Sequence, residues 1–160
     1  MKRSAEISSC ERYRYNLIRE WDPNLKRVLF VMLNPSTADG ESDDPTIRRC
    51  INFAKSWGYG SLEVVNLFAW RATEPKELKG NHLRTGTDNV KYLKKAQKRA
   101  DIVIHAWGDS CDNLGIEIPF SIYEQLATMK AFCLGKNKSG NPKHPLYVKA
   151  DTEPLRYPFK

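Results

Sequence analysis

The stretch Arg27 to Leu33, RVLFVML, decides the fold class. It is a short apolar run with β-branched and aromatic content, the pattern of a strand buried on both faces of a parallel sheet. It stops at Asn34-Pro35-Ser36, and a polar loop, TADGESD, follows. Asp44-Pro45 then sets an N-cap with proline at the first helical position, ahead of Ile47, Cys50, Ile51, Ala54 and Trp57 at helical spacing. Gly58 and Gly60 end that helix, and Leu62 to Phe68, LEVVNLF, reads as a second buried strand. Strand, helix and strand in this order and at these lengths make a βαβ crossover.

Outward from this unit the alternation continues. Residues 87–100 place Val90, Leu93 and Ala96 on one side of a helix and Lys91, Lys94, Lys95, Lys98 and Arg99 elsewhere. That basic face is either a solvated surface or a docking surface. Asp101 to Trp107, DIVIHAW, is a third strand ending at Gly108-Asp109-Ser110. A helix near 119–129 and a strand over Ala131 to Leu134 complete the series. Upstream, residues 13–22, YRYNLIREWD, alternate apolar with polar side chains. They predict a half-exposed edge strand, or a hairpin closing at Asp22-Pro23-Asn24. The expected architecture is α/β: a three-layer sandwich with a central, mostly parallel four-stranded sheet and an N-terminal edge strand or hairpin, in one domain over residues 1–160.

Composition narrows the function. With 26 Lys plus Arg against 19 Asp plus Glu, the net charge is +7, which favours an anionic partner, nucleic acid first. The chain contains no run of apolar residues long enough to span a bilayer and begins without a signal-peptide core, so a cytoplasmic protein with no membrane association is expected. Cys10, Cys50, Cys111 and Cys133 form no C-x-x-C pair, and His82, His105 and His144 form no metal spacing; neither metal nor cofactor is expected. Phosphate-cradling glycine motifs and a G-x-S-x-G elbow are absent from the sequence, which argues against kinase, ATPase and acyl-enzyme chemistry. No obligate protein partner is evident.

In parallel sheets ligands bind beyond the carboxyl ends of the strands. Asn34, Asn66 and the Trp107-Gly108-Asp109-Ser110 turn fall there. Asn34 is an amide that orients a water without accepting its proton, which suits a reaction needing no strong base, such as cleavage of an N-glycosidic bond. Asn-Pro also initiates turns. Asn66 lies inside an apolar run, where its amide either pairs with a neighbouring loop or faces a site; it offers a donor beside an acceptor, the complement of a pyrimidine edge. His144 sits in a basic loop with Lys136, Lys138 and Lys143, a setting for an anionic backbone or a departing base, or simply a surface histidine.

These motifs, in this order, resemble those of the uracil-DNA glycosylase superfamily. There a strand ends in a water-activating Gly-Gln-Asp-Pro-Tyr-His or, in the mismatch-specific branch, Gly-Ile-Asn-Pro-Gly; here Met32-Leu33-Asn34-Pro35-Ser36 corresponds. Val64-Val65-Asn66-Leu67 matches the strand whose Asn reads the base. Ala106-Trp107-Gly108-Asp109-Ser110 matches a Trp-Gly-Ser-like turn, and His144-Pro145-Leu146-Tyr147 matches a final His-Pro motif. More closely, LNPSTAD, DDPTIRRC, NLFAWRAT and KSGNPKHPLY are similar to a bacterial and phage domain family of unknown function, over nearly the whole chain.

The resemblance implies a monofunctional DNA glycosylase that leaves an abasic site and takes no cofactor. Asn34 would hold the water, His144 would stabilise the leaving base, and Asp39 would help position water or a sugar hydroxyl. Asn66, Pro35, Ser36 and Trp107 would contact the base. Lys136, Lys138, Ser139, Lys143, Ser110 and Arg71 would contact DNA, with Leu146 or Tyr147 as the wedge. Two departures bear on substrate. Asn34 replaces the Asp of the uracil enzymes, and Ser36 and Thr37 stand where a bulky Tyr blocks a 5-methyl group. A 5-substituted pyrimidine is therefore expected, such as hydroxymethylated or glucosylated cytosine, with a role in phage defence. The alternatives are a hydrolase of free modified nucleotides and a non-catalytic nucleic-acid-binding module.

Overall fold

The structure, a computed structural model, describes residues 1–159. Eleven strands and helices follow in chain order: β1 (Lys2–Ile7), β2 (Arg14–Glu20), β3 (Arg27–Met32), α1 (Pro45–Ser56), β4 (Ser61–Asn66), α2 (Asn89–Arg99), β5 (Ile102–His105), α3 (Ser110–Leu114), α4 (Phe120–Ala127), β6 (Ala131–Cys133) and β7 (Leu155–Arg156). Short 3₁₀ turns cover Pro75–Leu78 and Pro145–Tyr147. The strands form one open sheet in the order β1-β2-β4-β3-β5-β6-β7. Among the described residues no helix is long and apolar enough to cross a membrane.

The four strands read from apolar runs are adjacent and parallel, β4-β3-β5-β6. Their near-continuous hydrophobicity follows from cover on both faces. Val28, Phe30 and Met32 pack on α1, whereas Leu29, Val31 and Leu33 pack with residues of α2 and α4. Asp44 caps α1 as expected, its side chain accepting from the Ile47 N–H, with Pro45 at the first turn. Replacing such a cap by Ala costs about 1 kcal/mol.

The sheet is wider than four strands. Three antiparallel strands extend it, β1 and β2 on one side and β7 on the other. The expectation for residues 13–22 is corrected here. β2 is an interior strand between β1 and β4, and its hairpin partner precedes it, so the turn lies before Tyr13 and not at Asp22-Pro23. Polar residues of β2 are accordingly buried: Arg14, Asn16 and Arg19 are at most 5% exposed. Glu63 of β4 makes this possible on the α2 face by accepting from Asn16 at 2.9 Å and from Arg99 in two hydrogen bonds.

One irregularity in β2 bears on the site. Glu6 pairs with Asn16 but Ile7 pairs with Arg14, leaving Tyr15 as an extra residue. Tyr15 and Asn16 both turn to the α2 face, where Tyr15 stacks on Tyr92. Such a bulge reverses the alternation beyond it. Arg14 is thereby aimed to the α1 face, where its Nη1 donates to the Ala38 carbonyl at 2.9 Å.

Candidate active site at the strand ends

A cavity of about 520 Å³ opens at the carboxyl ends of the parallel strands, within the range of small-molecule sites. Met32, Leu33, Asn34 and Ser36 line it from the end of β3, Asn66 from β4, Trp107 to Ser110 from beyond β5, and His144, Leu146 and Tyr147 from the last long loop. Arg14, Asp44 and Asn137 also face it. Residues far apart in sequence converge because parallel strands end at the same level.

Each functional side chain is held by specific bonds. The Asn34 nitrogen donates to the carbonyls of Ala72 at 2.9 Å and Pro35 at 2.8 Å. Two carbonyls on one side require the nitrogen there, so Oδ1 is the atom left as an acceptor toward the cavity. Asn66 is the last residue of β4 and 1% exposed, and neither its Nδ2 nor its Oδ1 has a protein partner. The strand end itself is fixed, since the buried Asn89 side chain donates to the carbonyls of Asn66 and Leu67. A buried amide with both ends open is costly without a ligand.

His144 is half-buried and its Nδ1 accepts from the Leu146 N–H at 3.2 Å. That bond assigns the proton to Nε2. Burial lowers the pKa of His144, against an opposing pull from Asp44, so the ring is neutral at neutral pH and a donor through Nε2. Asp44 itself is occupied as a cap, accepting also from the Ala38 N–H at 3.3 Å.

The loop that carries His144 is tied down at several points. Asp109 accepts from the Ser139 hydroxyl at 2.6 Å and the Asn141 amide at 2.9 Å, and these bonds hold its carboxyl below the usual range. Gly108, at φ +73°, turns the chain so that its N–H reaches the Pro142 carbonyl at 2.8 Å. Arg49 of α1 donates to the carbonyls of Pro145 and Val148, securing the far side.

Of the residues singled out from sequence, Asn34, Ser36, Asn66, Trp107, Ser110, His144, Leu146 and Tyr147 line the cavity. Asp39 does not: its carboxylate accepts from the N–H groups of Glu41 and Ser42 and shapes the loop. Those backbone bonds lower its pKa. Pro35 is buried beneath the wall, where its carbonyl accepts from Ala72. Arg71 lies outside and donates to the Glu11 carbonyl. Ser139 is an anchor for Asp109, Lys143 donates to Asn137, and Lys136 and Lys138 are exposed on the same loop. Thr37 is exposed and, unlike Ser36, is not part of the wall.

Arg14 is the principal residue that sequence reasoning missed. It is 2% exposed, its Nε has no partner, and among the described residues no carboxylate pairs with it. Burial pushes its pKa down to about 10, with Asp44 opposing, so it stays charged at neutral pH. Its alternation with Tyr13 and Tyr15 gives the look of a solvent-facing position; the bulge carries the opposite information and rests on pairing with β1.

The model of a family described as a protein of unknown function (DUF1643) matches residues 14–146. The chain belongs to that family. No curated protein and no solved structure matches it. The matched part of DUF1643 begins at Arg14 and ends at Leu146, so it contains every cavity residue named above except Tyr147.

Proposed function

We propose that this chain is a DNA glycosylase that hydrolyses the N-glycosidic bond of a 5-substituted pyrimidine, with hydroxymethylated or glucosylated cytosine as the favoured class. The observation that carries the reading is the meeting, in one cavity, of an outward amide oxygen on Asn34, an unpartnered amide on Asn66 and a neutral Nε2–H donor on His144. These three suit water, base edge and leaving group. Water held by Asn34 adds to C1′ as the bond to the base nitrogen breaks. The electron pair leaves with the base, His144 stabilises the charge that develops there, and the water's proton passes to solvent. Because Asn34 cannot take that proton, the step relies on a base that leaves readily.

Other features support the substrate and the partner. The cavity exceeds the need of an unsubstituted base: at ~30 Å³ per water it holds the equivalent of roughly 17 waters. Ser36 leaves the wall open where a bulky side chain would close it. Tyr147 is 82% exposed and Leu146 44%, both at the cavity rim, as a wedge for a flipped nucleotide requires. Lys136 and Lys138 lie exposed beside that rim, where a phosphate backbone would pass. The resemblance to uracil-DNA glycosylase motifs, three at strand ends and the His-Pro motif in the loop after β6, points the same way.

The test is an abasic-site assay on duplexes containing uracil, hydroxymethylcytosine or glucosylated hydroxymethylcytosine, read by alkaline cleavage. Cleavage is expected at the 5-substituted bases, falling about 10²-fold or more in Asn34→Ala and in His144→Ala. Intact DNA for all three under saturating binding rejects the reading, and cutting of uracil alone rejects the argument from Ser36.

A further inference from the structure

Arg14 is not used by the chemistry proposed above. It presents five N–H donors and a full charge, yet only Nη1 has a protein acceptor, the Ala38 carbonyl. Its Nε is buried without a partner, as are both ends of the Asn66 amide in the same wall. Asp44 faces the cavity too, but its two oxygens already accept from Ile47 and Ala38, so it tempers the charge of Arg14 without satisfying its donors. The bulge at Tyr15 and the burial of Arg14 both serve to present a desolvated guanidinium at this wall. The Nε and Nη2 edge of the guanidinium, a planar donor fork without a protein acceptor, matches two oxygens of one anionic group.

We propose that Arg14 and Asn66 form a subsite for an oxyanion carried by the ligand, a carboxylate or a phosphate, with the guanidinium of Arg14 as its direct partner. The anion comes either from the base ring, as an acidic 5-substituent, or from a nucleotide phosphate. Asn66 supplies the neighbouring donor, and Arg14 determines which ligands are accepted. The subsite concerns binding and holds whether or not the glycosidic bond is cut.

The experiment is calorimetric titration of the full chain with 5-carboxycytosine, deoxycytidine 5′-monophosphate and, as the neutral comparator, 5-hydroxymethylcytosine. At least one anionic probe is expected to bind about ten- to a hundredfold more tightly than the neutral one, and to lose that advantage in Arg14→Gln. Arg14→Lys, which keeps the charge and loses the fork, is expected to fall between them and serves as the second variant if Arg14→Gln does not fold. Preference for 5-carboxycytosine assigns the subsite to a ring carboxylate, and preference for the monophosphate assigns it to a phosphate. Equal affinity for neutral and anionic probes, no binding of either anion, or an unchanged anion affinity in the Arg14 variants overturns the proposal. Because the titration reads binding only, its failure is separate from that of the glycosylase reading, which abasic-site formation decides.

Discussion

Two buried arginines on the same strand have opposite surroundings. Arg19 is fully buried and spends its donors inside the protein: Nε on Asp43 at 2.7 Å, Nη2 on the carbonyls of Asp39 and Ser42, and Nη1 on those of Ile18 and Ser4. Burial raises the pKa of Asp43, but hydrogen bonds from Arg19 and Arg3 outweigh that and leave it below its ordinary value. Arg14, five residues earlier, has one protein acceptor and a cavity in front of it. Burial alone therefore does not tell a structural polar group from a functional one; the satisfaction of its hydrogen bonds does. Arg19 shapes the loop between Asn34 and α1, and Arg14 looks into the space that the loop encloses.

The comparison breaks first if Arg19 is dispensable. Arg19→Met should cost about 3–5 kcal/mol in urea unfolding, because it leaves Asp43 with Arg3 alone and frees the two loop carbonyls, of Asp39 and Ser42. A loss below about 1 kcal/mol would remove the distinction.

His105 sharpens it from another side, as a buried group without partners that does not line the strand-end cavity. Neither ring nitrogen has a partner, Trp107, Tyr157 and Phe159 surround it, and burial pushes its pKa down to about 3. The folded state therefore binds fewer protons than the unfolded state between pH ~6.5 and ~3. Stability should be fully present above pH ~6.5 and fall by about 1.4 kcal/mol per pH unit below it, about 3 kcal/mol by pH ~4.3. His105→Leu should flatten that acid limb in thermal melts followed against pH, and an unchanged limb would contradict the assignment.

The smallest effects are expected where the bonds are missing. Asn66→Leu and Arg14→Met should each change stability by no more than about 1 kcal/mol, in either direction, since Asn66 has no side-chain partner to lose and Arg14 has a single hydrogen bond, to Ala38, set against an unpartnered Nε. A loss in either comparable to that of Arg19→Met would show a structural role, and denaturant midpoints read at one pH decide it.

Much of this arrangement is legible in the sequence, for a physical reason. RVLFVML, LEVVNLF and DIVIHAW are apolar throughout because both faces of a parallel strand are covered, and Asp44-Pro45 marks a helix start by chemistry local to the cap. Asn34, Asn66 and Trp107 could be gathered into one site because parallel strands end together, and His144 joins them through the His-Pro motif of the loop after β6. What escapes is set by distant pairing. KRSAEI of β1 offers only Ala5 and Ile7 as apolar positions, being a largely exposed edge, so neither it nor the bulge it imposes on β2 leaves a strong local signal. Asp39 looked like a site residue by its nearness to Asn34-Pro35, but its carboxylate closes onto the next residues of its own loop. Ser139 looked like a phosphate contact, and Asp109, thirty residues away, takes its hydroxyl.

The central claim is that the groups left open in the cavity serve cleavage of a bond to a modified base. Its most direct measurement is single-turnover release of free base from duplex DNA containing glucosylated hydroxymethylcytosine, detected by mass spectrometry alongside the abasic strand. The account predicts free base and abasic sites in equal amounts from the unaltered chain, and neither from Asn34→Ala on the same timescale. DNA that is bound to saturation and recovered with every modified base in place would contradict it.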